Sequence, residues 1–330
     1  VPAFGWYYRL SRFFRESFGE RVLKIPLDAG MTCPNRDGTL SHKGCIFCYN
    51  PGFSPGALSR ERDRELIPIP EQIRLFQLRA EKLQINGHLP EANAARDAAF
   101  PRRRYLAYFQ SYSNTHAPLP ILKALYEEAL QTPGIVGLSV ATRPDCLDPE
   151  VLDLLAGYAR NYHIWLELGL QSAHDATLQR INRGHTFAAF REAVKESSRR
   201  GLQVCVHIIN GLPGESHQDM LETARVLSAL PLKGVKFHQL QVMEGTPLAE
   251  LYRRGEVTLL SREGYLEIVC DQLEILPEDV VVHRLLSEVT RKNLQLAPAW
   301  RVSRADFARM VEETLKSRCS YQGKYVQGKR

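Results

Sequence analysis

The sequence predicts an α/β protein, a partial (β/α)6 TIM-like barrel with a C-terminal α/β extension. Three observations carry that reading. Apolar β-type runs alternate with helical patterns along most of the chain, the runs are nearly continuous in apolar residues, as buried parallel strands are, and the rhythm breaks near Gly245. A closed barrel needs eight units and only six are counted, so the sheet is expected to stay open.

Val22-Leu23-Lys24-Ile25-Pro26-Leu27 reads as the first strand, with a cysteine-bearing loop directly after it. Ile73, Phe76, Ala80 and Leu83 share one helical face, and the polar, Ala- and Arg-rich segment 86–103 reads as an inserted loop. The second strand runs from Tyr105 to Gln110, followed by a helix over 119–131. The third runs from Gly134 to Val140, and its helix starts at Asp148-Pro149-Glu150, a capping residue followed by proline at the first helical position. His163 to Leu170 is the fourth strand, and Phe187, Phe190 and Val194 mark the helix behind it. Leu202 to Ile209 and Gly234 to Val242 are the fifth and sixth. Beyond Gly245 come helices near 247–254 and 263–276, a short apolar strand Val280-Val281-Val282, and a last helix through Phe307, Met310, Val311 and Leu315. The expected division is a barrel over 1–245 and an extension over 246–330, whose tail from Lys316 holds five basic residues and no acid. No internal repeat is visible.

At 330 residues and 44% hydrophobic, the chain can bury a sizeable core. Its 43 basic and 37 acidic residues leave a net charge of +6, which permits an anionic partner such as RNA without requiring one. Seven cysteines is an odd count, and Cys146, Cys205, Cys270 and Cys319 are scattered, which argues against a disulfide framework and for a reducing cytoplasm. No stretch approaches the roughly 20 apolar residues of a membrane helix, and the opening residues lack the pattern of a signal peptide. A cytoplasmic protein without membrane association is expected. The chain opens on Val1 with no initiator methionine, so a few native residues are expected to precede it.

The remaining cysteines, Cys33, Cys45 and Cys48, are spaced C-x11-C-x2-C with no fourth cysteine nearby. Three thiolates without a fourth suit a metal centre that keeps one position open, whereas a closed structural site takes four ligands. A [4Fe–4S] cube with one free iron meets that description. So does a zinc site in which His42 completes a Cys3His set. The other cysteines are single and far apart, so no auxiliary cluster is expected. Catalytic groups of such barrels gather at the C-terminal ends of the strands. Here those ends read Gln110-Ser111-Tyr112-Ser113-Asn114-Thr115, Ala141-Thr142-Arg143-Pro144-Asp145, Gln171-Ser172, Asn210-Gly211-Leu212-Pro213-Gly214-Glu215 and Gln241 to Pro247. Their agreement on one rim marks a site.

The cysteine pattern, with Phe47 just before the last Cys, resembles the cluster loop of the radical SAM superfamily. The usual spacing there is C-x3-C-x2-C; the longer first gap is similar to that of the subgroup holding the Elongator catalytic subunit and the YhcC-like bacterial proteins. Glu167-Leu168-Gly169-Leu170-Gln171-Ser172 with Arg183-Gly184-His185 resembles a stretch shared by that subgroup and oxygen-independent coproporphyrinogen oxidases. Thr142-Arg143-Pro144-Asp145 and Gly211-Leu212-Pro213-Gly214-Glu215 are similar to the subgroup's as well. The resemblance covers roughly residues 20–247, and the YhcC-like group accounts for the whole chain.

The resemblance implies a [4Fe–4S] cluster on Cys33, Cys45 and Cys48, S-adenosylmethionine on the fourth iron, and reductive cleavage to a 5′-deoxyadenosyl radical. By position, Gln110 and Ser111 would meet the methionyl amino group, although the usual Gly-Gly-Glu is absent there. Thr142 ends the next strand on the same rim. Arg183 would pair with the methionyl carboxylate, Gln171 would face ribose or methionine, and Gly211 with Leu212 would border the adenine. No catalytic residue is assigned. The implied substrate is an RNA base, a wobble uridine of tRNA, with a small molecule or tetrapyrrole as the alternative. The implied electron donor is a flavodoxin or ferredoxin. A zinc-stabilised nucleic-acid-binding protein is the reading from another class. Glu167 reads equally as a satisfied buried carboxylate or a functional one, and His163, His207 and His238 as barrel filling. Arg102-Arg103-Arg104 reads as a solvated patch, Cys146 as a small packed residue, and the basic tail as either an RNA contact or a disordered end.

Overall fold

The computed structural model of the chain describes residues 5–49, 66–85, 104–289 and 292–326. The segment 86–103, with Arg102 and Arg103, lies outside them. The six expected strands are all present: β1 (Val22–Leu27), β2 (Arg104–Phe109), β3 (Ile135–Thr142), β4 (His163–Gln171), β5 (Gln203–Asn210) and β6 (Gly234–Gln239). They pair in parallel in chain order. The sixth stops three residues earlier than expected, and the chain resumes as β7 (Val242–Met243), which pairs with β9 (Gln295–Ala297) in a separate two-stranded sheet.

The strand assigned to the extension becomes β8 (Val281–Arg284) and pairs in parallel with β6, so the sheet has seven strands. The barrel sheet therefore crosses residue 245. Four residues are too few for periodicity to say which sheet they join.

Side chains alternate across this sheet, as strand geometry requires. One set, including Ile25, Phe109, Leu138, Leu166, Val206 and Phe237, is buried in the main core with Leu122, Tyr126, Leu155 and Phe190 of the surrounding helices. The helix over Leu119–Leu130 and that over Pro149–Ala159 lie where the sequence expects them, each with proline in its first turn. The opposite set faces the inside of the curled sheet. It is largely polar: Lys24, Tyr108, Ser139, Glu167, His207 and Lys236.

A helix the sequence analysis did not anticipate, α1 (Leu10–Phe18), closes one end of the half-barrel. Its Phe14 is buried in a cluster with Trp165, Leu106, Cys205 and Val281, and Phe13 meets the Trp165 ring edge-on at 5.5 Å. The C-terminal tail is not loose as far as it is described. Gln322 is fully buried and donates to the carbonyls of Pro277 (2.6 Å) and Val280 (2.8 Å), while Arg318 pairs with Asp271 at 2.6 Å. Lys329 and Arg330 lie outside the described residues. No helix among those described is long and apolar enough to cross a membrane.

Candidate active site

The loop after β1 explains how cysteines so far apart in sequence come together. Gly44 N donates to Asn35 O at 2.6 Å, so residues 36–43 loop out and return to where they left. The positive φ of Gly44 (71°) allows that return. With the excursion set aside, Pro34, Asn35 and Gly44 separate Cys33 from Cys45, which is a C-x3-C spacing. Asn182 clamps the junction: its Nδ2 donates to Gly44 O (2.6 Å) and its own carbonyl accepts from Asn35 Nδ2 (2.6 Å). Ile46 N donates to Ile181 O (3.1 Å) and Leu248 N to Ile46 O (3.0 Å), fastening the loop to the rim. Deleting residues 36–43 should therefore leave iron uptake close to that of the parent, measured by iron content after reconstitution. Loss of iron would mean that the excursion shapes the site rather than decorating it.

Cys33, Cys45 and Cys48 line one cavity that runs from this loop into the barrel. Burial, and the neighbouring Cys45 and Cys33 thiols, push the Cys48 thiol up to about 11. Three thiolates in one cavity repel one another unless a cation joins them. Around one zinc ion their sulfurs would lie within about 4 Å of each other. Among the described residues no group of three His, Cys, Asp or Glu side chains stands close enough together to hold a metal ion. His42 is exposed and its ring packs on Gly38, away from the cavity. By their chemistry three thiols lining one cavity suit a multi-iron cluster held at three corners, and with His42 outside that lining the Cys3His zinc site is not formed.

Two N–H donors point at Cys45 Sγ, Arg183 Nη1 at 3.6 Å and Asn35 Nδ2 at 3.7 Å. Such donors stabilise a thiolate and tune a cluster that it ligates. Arg183 Nη2 donates to Gly169 O, and His185 Nε2 lies 3.3 Å from the same oxygen. A Cβ on Gly169 would fall 2.8 Å from both Arg183 Nη2 and Gln171 Nε2, so a larger residue there would push these two side-chain ends aside. Both terminal nitrogens of Arg183 are thus engaged with Cys45 and the β4 backbone, while its Nε has no hydrogen-bond partner and the side chain lines the cavity.

Of the other expected residues, Gln110, Thr142 and Gln171 line the cavity, Gln171 in the left-handed region at φ 80°. A non-glycine residue held there is strained, and such strain gathers at functional sites. Ser111, Gly211 and Leu212 lie outside the lining. Leu212 is buried with Leu178, Ile181 and Leu240 in the cluster on which Ile46 and Phe47 pack, so it supports the cysteine loop from behind. Ser172 Oγ donates to Glu215, joining the two sequence stretches that hold them. Cys146 is absent from the lining too; burial pushes its thiol up to about 12.

The barrel interior was the less legible part. Glu167 is fully buried and accepts from Lys24 Nζ (2.6 Å), Lys236 Nζ (2.6 Å), His207 Nε2 (2.6 Å) and Ser139 Oγ. Lys236 Nζ also donates to Tyr108 Oη at 2.9 Å. Burial lowers His207 to about 4 and His283 to about 3, so both are neutral near pH 7. It lowers Lys236 to about 8 despite Glu167. The signal available in the sequence was a polar residue at the inward position of strand after strand.

The Lys236 shift sets a pH dependence. Between about pH 8 and 10.5 an unfolded chain still holds the lysine proton while the folded one has released it, so stability rises with pH through that window. Relative to Lys236→Met, the parent should gain on the order of 1–3 kcal/mol between those limits, read from urea midpoints. A flat difference would show that Lys236 titrates normally.

The Radical SAM superfamily matches residues 38–227 and the Radical_SAM C-terminal domain matches residues 232–317. The uncharacterized protein YtqA of Bacillus subtilis is 39% identical over 97% of this chain and 93% of its own length. Protein YhcC of Escherichia coli is 38% identical over 86% of this chain and 84% of its own. The tRNA uridine(34) acetyltransferase of Methanocaldococcus infernus is 29% identical over 47% of this chain, which spans 29% of that protein. The structure of Methanocaldococcus infernus Elp3 with an N-terminal deletion superposes with a TM-score of 0.62 at 17% identity, over 91% of this chain and 64% of that one, and shows the shared fold.

Proposed function

The chain belongs to the radical SAM superfamily, in the group of YhcC and YtqA, and from that premise we propose that Cys33, Cys45 and Cys48 hold its [4Fe–4S] cluster and that substrate enters the barrel beneath it. The family works with such a cluster and S-adenosylmethionine, and the bound pair supplies the 5′-deoxyadenosyl radical that takes hydrogen from a substrate. The observation that carries the proposal is that the three thiols and the inward residues of the strands line one continuous cavity. In this reading Gln110, Thr142 and Gln171 bind S-adenosylmethionine from the rim. Arg183 and Asn35 orient Cys45. Ser111, Gly211 and Leu212 support the rim from behind. Trp165 and α1 close the far end against water, which protects a radical from quenching.

For the substrate, the net charge of +6 and the likeness to the tRNA uridine(34) acetyltransferase support an RNA base, a wobble uridine of tRNA. A small flavodoxin or ferredoxin is the proposed electron donor. The test is anaerobic reconstitution followed by dithionite and S-adenosylmethionine, with 5′-deoxyadenosine as the readout for the chemistry. Binding of tRNA that weakens steeply with salt is the readout for the substrate. No 5′-deoxyadenosine sinks the first proposal; salt-insensitive or absent tRNA binding sinks the second. A small anionic molecule or a tetrapyrrole is favoured by one feature, the concentration of cations on the barrel floor.

A further inference from the structure

The cations on that floor outnumber what balances them. Lys24, Lys236 and Arg284 all face the barrel interior, and Glu167 is the carboxylate they surround. Its oxygens are fully used: Oε1 accepts from Lys24 and Ser139, and Oε2 from His207 and Lys236. Nothing remains for Arg284. It neighbours Lys236 across the β6–β8 pairing and lines the cavity. Its Nη2 lies 2.9 Å from both ring nitrogens of His238, its Nε has no hydrogen-bond partner, and no carboxylate among the described residues is within ion-pair distance. Burial lowers its pKa, and His238 is held neutral by burial and by Arg284 itself. An unpaired guanidinium at the inner end of a cavity is costly in an empty site and favourable once an anion reaches it. Its flat fork matches a carboxylate or phosphate in two parallel hydrogen bonds.

We propose that Arg284, with Lys236 beside it, binds a carboxylate or phosphate group of the molecule that enters the barrel. This rests on the reading of the cavity as the substrate site and adds the substrate's chemistry: an anionic end is drawn down to the floor, which leaves the rest of the molecule nearer the cysteine loop. Lys24 and Lys236 hold Glu167 in place, so the carboxylate does not swing across to neutralise Arg284.

The test needs no radical chemistry. The full-length protein is titrated with inorganic phosphate and with succinate by calorimetry at constant ionic strength, alongside thermal melts in the same buffers. One of the two anions is expected to bind saturably, and which one does tells phosphate from carboxylate. Arg284→Gln should weaken that binding at least tenfold, while Arg254→Gln, which alters an exposed arginine paired with Glu256, should leave it unchanged. Without added anion, Arg284→Gln should melt no lower than the parent, because it removes a half-buried cation that no carboxylate balances. Saturating S-adenosylmethionine should not displace the probe. Absence of saturable binding, equal binding by Arg284→Gln, displacement by S-adenosylmethionine, or a lowered melting temperature of the variant without anion would each overturn the proposal. Failure of the radical reading would appear separately, as no 5′-deoxyadenosine from a protein that still binds the anion.

Discussion

Cys45→Ser is expected to reduce 5′-deoxyadenosine formation at least about a hundredfold and to lose most of the bound iron. Cys45 is the most enclosed of the three thiols, 5% exposed, and is the one that two N–H donors address. Those donors belong to Asn35 and Arg183, both fixed by backbone contacts of their own, so their direction is set before any cluster arrives. Serine keeps the size of the side chain and can still accept both hydrogen bonds. The fold should therefore survive, as circular dichroism would verify, while the soft sulfur that iron prefers is gone. His42→Ala is the matching control. The Cys3His zinc reading requires it to release metal, whereas the geometry here, with His42 on Gly38, requires no change. Iron retained by Cys45→Ser together with metal lost from His42→Ala would reverse the assignment of the site.

The sequence made the barrel legible because buried parallel strands announce themselves in apolar runs, and all six expected strands lie within a few residues of their predicted bounds. The cysteine triad was legible through residue type. Its spacing was not, since the hydrogen bond between Asn35 and Gly44 that turns C-x11-C into an effective C-x3-C joins backbone atoms and has no signature in side chains. The seventh strand was visible as an apolar triplet but not as part of this sheet, because pairing between β6 and β8 is a long-range contact that local pattern does not encode. Helix α1 was missed for a related reason. Its apolar residues close a barrel end that exists only after folding. Arg183 was legible from its motif as a residue of the cavity, which it lines, while its contacts to Cys45 Sγ and the Gly169 carbonyl were not. A guanidinium in a sequence names its own chemistry and not that of its neighbour.

Glu167→Gln should lower stability by about 3–5 kcal/mol at pH 7, the range for removing one partner of a buried ion pair. The variant is nearly isosteric, so the loss is electrostatic: Lys24 and Lys236 remain inside the barrel, and Arg284 beside them, with no carboxylate. The native carboxyl is held well below its usual range by Lys236 and Lys24, which outweigh the burial that opposes ionisation. A depressed folded-state pKa contributes stability that is complete above the unfolded value of about 4.5 and is lost as pH falls through the folded one. The parent should therefore lose stability in acid more steeply than Glu167→Gln does. Toward pH 8 the difference should narrow, because Glu167 raises the Lys236 pKa and the variant, lacking it, releases that proton below the parent's value of about 8. Adding Lys236→Met to Glu167→Gln should recover a substantial part of the loss at pH 7, since one buried cation leaves with its partner. If the double variant is as unstable as the two single changes summed, the inner residues act by shape alone, and the barrel floor is not the charged surface described above.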